Sequence, residues 1–490
     1  MRVLWTWILV LLSAFVGAYA VVAGHGPVVL ALVVALLPIA LRWLTLLEYV
    51  VVSSPFMAYV SVGGPLHAAV SDAVIPFLAL AVLASGELDA ERQRGLRRIV
   101  GFCLVGVTIA VASGAWATLT PLGFDFLVGI SNLAKLVIVL GYTCIVAAAV
   151  AAMPVQKTFR ALRMWGWVAA ALAGGSMLTS FAGVPLIPTS GTRSYGFFQD
   201  PNLYAGYLLI SLAVVIAREC YKGMRETPIL LILISGGIIA TASRSAAGTL
   251  AVMLVLAALL IRARRVRWTL IVLAVVGVWV IMGLMAAAPD LMSLPALDRL
   301  TTASEVASSD SRFGLWARAI ELWQESPYLG IGIGQYQLHS ADVFGTSGRT
   351  GNGFVAHNTF LSFLSETGVL GLGALLTGLV LMAKATFSLK PLGRRIDKAF
   401  LLGVIAVAAQ MMTLNLQNVR YVWLLFGVIL GLRLRLQARA GEAADGTEPA
   451  HSDAEPDATP DAEADAEQVT RKQPAVPAPR EPVGAGARRP

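Results

Sequence analysis

Long apolar runs recur along this chain with short connections between them, and no other feature constrains the fold as strongly. A membrane-crossing helix needs about 20 mostly apolar residues. Runs of that kind lie near 4–23, 27–45, 47–64, 67–84, 99–119, 126–152, 164–184, 203–217, 228–242, 247–262, 268–288, 361–384, 399–413 and 419–435. They do not alternate apolar with polar residues as barrel strands do. In lipid each backbone N–H and C=O must be paired internally, so such runs read as helices. Only 13% of the residues are charged and 57% are hydrophobic, whereas a soluble domain carries about 25% charged residues. The expectation is an all-α integral membrane protein with roughly 12–14 transmembrane helices. The stretch 47–84 reads either as two short helices or as one span plus a re-entrant piece. The first run ends in Ala18-Tyr19-Ala20, which resembles a signal cleavage site. Its apolar part is long for a signal peptide, which favours a retained first helix.

Orientation follows from Lys and Arg, which concentrate in short cytoplasmic loops. With the N-terminus inside, the basic loops GELDAERQRGLRR, PVQKTFRALR, ARECYKGMRETP, IRARRVR and KATFSLKPLGRRIDK all fall on the cytoplasmic side. The formal charge of +8 is therefore a topology signal, and nucleic acid is not an expected partner. Three cysteines at dissimilar spacings, Cys103, Cys144 and Cys220, give neither a disulfide framework nor a metal cluster. The opposite loops carry arginines that topology does not explain: Arg193, Arg244, Arg299, Arg312, Arg318, Arg349 and Arg420.

The polytopic unit is expected to span 1–436, with a long outward-facing loop at about 289–356. Within that loop SRFGLWARAIELWQE places Trp316, Ile320 and Trp323 at helical spacing, which predicts a short amphipathic helix. SPYLGIGIGQYQ follows as a Gly-rich turn whose glycines permit positive φ or close backbone approach. Residues 437–490 are acidic, then basic, and poor in apolar residues, the composition of a disordered cytoplasmic tail.

Four outward features carry candidate chemistry. Arg244, in the short turn TASRSAAG, is ringed by small residues that let an anion approach; it is equally readable as an interfacial arginine reaching to lipid phosphate. Arg312, at the start of the loop helix, opposes the helix dipole, so either a bound anion or Asp310 accounts for it. Arg193 has Asp200 nearby, and a salt bridge competes with a ligand contact. His357 stands before Asn358, a suitable N-cap for a helix beginning at Thr359. An imidazole near a helix N-terminus is biased toward its neutral form, which can take a proton from a hydroxyl; the alternative is a boundary histidine bonded to backbone. Glu366, nine residues on, is an intramembrane carboxylate of the kind that marks function. Paired guanidinium forks suit a diphosphate, a neutral histidine suits a sugar hydroxyl, and apolar helices suit a lipid tail. Together they suggest glycosyl transfer from a lipid-diphosphate donor.

Four segments then carry a family resemblance: TRSYGFFQDPNLYAGYL, TASRSAAGTLA, SRFGLWARAIELWQESPYLGIGIGQYQ and AHNTFLSFLSETGVLG. In order and placement they resemble the O-antigen ligase and O-antigen polymerase-like superfamily of polytopic membrane glycosyltransferases. The likeness is strongest over 190–375, within a ligase-like core of about 190–435; the N-terminal third matches only as generic apolar helices. The resemblance implies a bacterial cytoplasmic-membrane enzyme with both termini cytoplasmic. It implies a glycan donor on undecaprenyl diphosphate, an acceptor hydroxyl on lipid, glycan or protein, reaction on the outer face, inversion at the anomeric centre, and no metal or other cofactor. It assigns diphosphate binding to Arg244 and Arg312 and acceptor activation to His357, with Arg193, Asn358 and Glu366 as accessory positions. A transporter of lipid-linked glycan or of a small anion is the competing reading; no internal repeat of the transporter kind is visible. A peptidoglycan-type membrane polymerase would place an essential carboxylate in an outer loop, where this chain has Arg and His.

Overall fold

Aspartate and asparagine side chains open several of the long helices, and apolar residues extend them. The computed structural model describes residues 45–56, 60–61, 67–68, 70–121, 123–190, 193–198, 200–273, 306–345, 353–393 and 395–444. The apolar runs near 4–23 and 27–45, most of the run at 268–288, and the acidic tail beyond 444 lie outside these residues.

The first short helix, α1 (Leu46–Ser53), starts at a capping box between Thr45 and Glu48. A two-residue hairpin follows, β1 (Val60–Ser61) against β2 (His67–Ala68), then a 3-10 turn at Val70–Ala73 and α2 (Ile75–Ser85). Within 47–84 the chain therefore forms two short helices around a hairpin, the first of the two arrangements expected. Asp89 caps α3 (Ala90–Ala117), its carboxylate accepting from Arg92 N–H. Asp125 does the same for α4 (Phe126–Ala152) through Val128. Next come α5 (Val155–Ala182), the antiparallel pair β3 (Thr189–Ser190) and β4 (Arg193–Ser194), and α6 (Pro201–Lys222), capped by Asp200. Then α7 (Thr227–Ala240) and α8 (Arg244–Leu260) make a tight helical hairpin. After the loop helices α9 (Val306–Glu325) and α10 (Tyr336–Phe344), the chain ends in α11 (Thr359–Phe387), α12 (Ile396–Met411) and α13 (Arg420–Ala444).

Among the described residues, five helices are long and apolar enough to cross a membrane: α3, α4, α6, α11 with its continuation to Leu392, and α13. The protein is thus an all-α membrane protein, its strands confined to short hairpins among the described residues. Helices α4 and α13 pack most closely. Gly427 and Gly431 let the backbones approach, since a Cβ on either would fall within 3.0 Å of Val146, Val150 or the carbonyls of Thr143 and Ala147. Small residues at such contacts are the usual means of helix association in lipid.

The most unusual element is α11. Gly368 has φ 64° and ψ −166°, which breaks the helix in two. A break frees backbone groups that must find partners away from water. The segment following α9 supplies them. Ile331 and Gly332 donate to the carbonyls of Ser365 and Glu366 at 3.0 Å each, while Val369 donates to Pro327 O at 2.9 Å. Ser113 of α3 adds its hydroxyl to the Glu366 carbonyl at 2.6 Å. Within this plug Gly330, Gly332 and Gly334 have φ of +70°, +101° and +78°, and a Cβ on each would strike Glu366 backbone, Phe124 and Asn132 respectively. The alternating glycines of GIGIG let the loop thread between α3, α4 and α11.

Candidate active site

His357 is set in place from both sides. Before it, the strand-like lead-in has its carbonyls tied down one after another. Gln337 donates to Gly353 O at 3.3 Å, Ser340 to Phe354 O at 2.7 Å, and the Trp316 indole to Ala356 O at 3.0 Å. Gly353 is required here, because a Cβ would lie 1.9 Å from Gln337 O. After it, Asn358 caps α11 as expected, accepting from Leu361 N–H at 3.1 Å. Thr359 locks the start of the helix to the α12–α13 loop, donating to Leu414 O at 2.7 Å and accepting from Leu416 N at 3.0 Å.

Between these anchors His357 adopts φ +50°. Positive φ is uncommon outside glycine, though histidine tolerates it better than most, and such residues cluster at functional sites. The side chain is partly buried. Its pKa lies below the ordinary histidine value, first because burial disfavours the cation, and second because the Arg312 guanidinium is near; Asp200 pulls the other way. The imidazole is therefore held neutral at neutral pH. Helix α9 is thus tied to this segment through Trp316, and charges on α9 and at the α6 N-terminus, Arg312 and Asp200, act on the His357 ring.

Arg312 differs from expectation in one respect. The loop helix begins at Val306, so Arg312 lies in its second turn rather than at its mouth, beyond the reach of the terminal dipole. The apolar stripe is also rotated. Leu315, Ala319 and Leu322 are buried, whereas Ile320 is 40% exposed; Trp316 and Trp323 flank the stripe and donate their indole N–H groups to Ala356 O and Pro327 O. Both tryptophans serve as hydrogen-bonding anchors for loop backbone.

Arg193 reaches across two elements. It donates from Nε to Thr241 O at 3.1 Å and from Nη2 to Asn202 Oδ1 at 2.9 Å. It thereby ties the α6 N-terminus, next to Asp200, to the turn that carries Arg244. In that turn Ala242 has φ +48°, a second strained position, and Ser243 is buried. Arg244 opens α8 with its side chain exposed. Gln410, buried at the end of α12, donates to Thr249 Oγ1 at 2.9 Å and secures α8 from the other side.

Glu366 takes a different part. It is buried, and its carboxyl oxygens accept from the backbone N–H groups of Gly334 and Tyr336. Alternating backbone handedness creates concave nests of N–H groups that hold oxygen acceptors, and here the acceptor is supplied by the chain itself. Glu366 thus fixes the GIGIG loop against the broken helix. Arg420, one of the arginines left without a topological reason, is 3% exposed and forms a two-pronged ion pair with Asp72 at 3.0 and 3.3 Å. Asp200, Trp316 and Gln410 were not singled out as site residues by sequence; only Asp200's closeness to Arg193 hinted at a role.

The fold and this site define a multi-pass membrane protein with a polar, strained cluster at one end of its helices. Residues 229–376 match the family model described as O-antigen ligase, so this part of the chain is similar to O-antigen ligase-like proteins. The matched segment contains Arg244, Arg312, His357, Asn358 and Glu366, and leaves out Arg193. It supports an O-antigen ligase-like membrane glycosyltransferase activity in general terms, with a lipid-linked glycan and an acceptor as partners. No curated protein matches the chain.

Proposed function

We propose that the protein transfers or polymerises glycan from a polyprenyl diphosphate donor onto an acceptor hydroxyl, at the outer face of the bacterial cytoplasmic membrane. The observation that carries this reading is the environment of His357: positive φ, burial, and the Arg312 charge that favours the neutral ring. In the proposed step the imidazole accepts the proton of the acceptor hydroxyl. The oxygen so freed attacks the anomeric carbon, the bond from that carbon to the diphosphate oxygen breaks, and polyprenyl diphosphate leaves with the electron pair. Arg312 and Arg244 bind the diphosphate and stabilise the charge that grows on it, without a metal ion. Arg193 positions the Arg244 turn, Asn358 sets the start of α11, and Glu366 holds the loop beneath them.

A carrier of lipid-linked glycan is the competing reading, and the broken helix at Gly368 is the feature that favours it, since transporters bind cargo at such breaks. Here the freed backbone groups of Ser365, Glu366 and Val369 are bonded to the 327–332 segment. Protein reconstituted in vesicles with a labelled polyprenyl-diphosphate oligosaccharide and an acceptor separates the two. Release of polyprenyl diphosphate supports the transferase; movement of intact donor across the bilayer without bond cleavage refutes it.

A further inference from the structure

A cavity of about 300 Å³ lies between α3, α4, α11 and α13, away from Arg244, Arg312 and His357. Its walls are apolar along most of their length, with Phe102 and Gly106 of α3 facing Leu375 of α11 and Phe426 of α13. The two ends differ. Asn132 and Glu366 line one end, beneath the GIGIG loop; Arg98 of α3 and Arg433 of α13 line the other. The register of the walls fixes this polarity. Ser113 of α3 bonds Glu366 of α11, while a Cβ on Gly378 would touch Phe102, so α3 and α11 run antiparallel and Arg98 lies far from the His357 end. From Arg98 to Ala110, both on the wall, α3 rises roughly 18 Å. That is somewhat more than one leaflet of a hydrocarbon core about 30 Å thick.

The cavity also sits where lipid can reach it. Of the five spanning helices, α3 and α11 are the least enclosed, with 17% and 22% of their apolar windows buried against 83% for α6. On α3, Leu104 and Val105 next to the wall are 58% and 53% exposed. The first turns of α3 and the residues before it carry Arg92, Arg94, Arg97 and Arg98 against Glu87, Asp89 and Glu91, and Arg92 is already paired with Asp89 at 3.1 Å. Helix α13 adds no carboxylate between Arg433 and Arg439.

We propose that this cavity is a binding site for an anionic glycerophospholipid, its headgroup phosphate on Arg98 and Arg433 and one acyl chain running between α3, α4, α11 and α13 toward Glu366. Basic pockets between membrane helices recognise anionic headgroups in this way. The charge at the mouth selects a phospholipid of the leaflet at the Arg98 end. A donor whose diphosphate must reach His357 would present its anion at the opposite end. The proposal does not depend on the transferase reading.

The test uses full-length protein, delipidated in detergent and exposed to phosphatidylglycerol or phosphatidylcholine, with bound lipid measured by native mass spectrometry. Wild type should retain phosphatidylglycerol in preference to phosphatidylcholine. The double variant R98Q/R433Q should bind phosphatidylglycerol roughly thirtyfold more weakly, the loss given by two arginines near a membrane surface, while R98K/R433K keeps the preference. Gly106 lines the cavity and has open space where its Cβ would be, so G106L should occupy the chain site and lower retention of both lipids. Equal phosphatidylglycerol binding by wild type, R98Q/R433Q and G106L would overturn the proposal. So would displacement by G106L of a polyprenyl phosphate and not of a phospholipid.

Discussion

At the scale of single residues, the proposed chemistry turns on how His357 is charged. Burial and Arg312 lower its pKa and Asp200 raises it. A base with a lowered pKa stays neutral further into acid, so the acid limb of the transfer rate should fall below the ordinary histidine value of about 6.5. Each neighbour has a definite sign. Arg312→Gln removes a cation and should move the limb to higher pH, whatever it does to the maximal rate. Asp200→Asn removes an anion, keeps a capping side chain, and should move the limb lower. Profiles that superimpose for the wild type and both variants would show that His357 does not set the limb. The sequence made His357 and Asn358 legible because a polar pair before an apolar run is a local signal. It could not show Asp200 or Trp316 as part of the site, since both reach it only through tertiary packing.

Among elements, the broken helix and its plug decide whether the site keeps its shape. Gly330 and Gly86 both have positive φ, yet only Gly330 faces a wall, the Glu366 backbone at 2.4 Å; Gly86 has open space. Gly86→Ala bears only the left-handed cost of about 1–2 kcal/mol. Gly330→Ala should therefore lower the thermal unfolding temperature clearly more than Gly86→Ala, and equal shifts would contradict the plug. Glu366→Ala leaves the Gly334 and Tyr336 N–H groups without their acceptor, at about 1–3 kcal/mol for a buried group; Glu366→Gln keeps one acceptor oxygen and should cost less. A Glu366→Ala protein of unchanged stability and protease resistance in the 327–336 loop would remove its clamping role. Run lengths predicted α3 to α8 and α11 to α13 closely, because apolar length is a local property. Helix ends were less legible: α3 continues back to Asp89 through a basic loop, and α13 runs on to Ala444. The break at Gly368 and the rotated stripe of α9 were not legible, since each depends on what packs against the helix.

Over the whole molecule, distant segments are joined by a few buried polar links. The Arg420–Asp72 pair, with Tyr142 donating to Asp72 at 2.5 Å, connects the 3-10 turn, α4 and α13. Removing one member of a buried pair costs about 3–5 kcal/mol, because the other is left uncompensated. Arg420→Leu alone should thus destabilise more than Arg420→Leu combined with Asp72→Leu, as read by thermal unfolding in detergent; additive losses would mean that the pair is not coupled. The basic loops carry an orientation signal in the sequence itself, but Arg420 has its partner, Asp72, hundreds of residues away.

In the proposed reaction His357 performs chemistry on the acceptor. Its most direct test is transfer of labelled glycan from a polyprenyl diphosphate donor by membrane-inserted His357→Ala. Loss of a general base should lower the rate on the order of 10²–10⁴-fold, with insertion, expression and donor binding retained. Transfer at the wild-type rate by a correctly inserted His357→Ala protein would contradict the account.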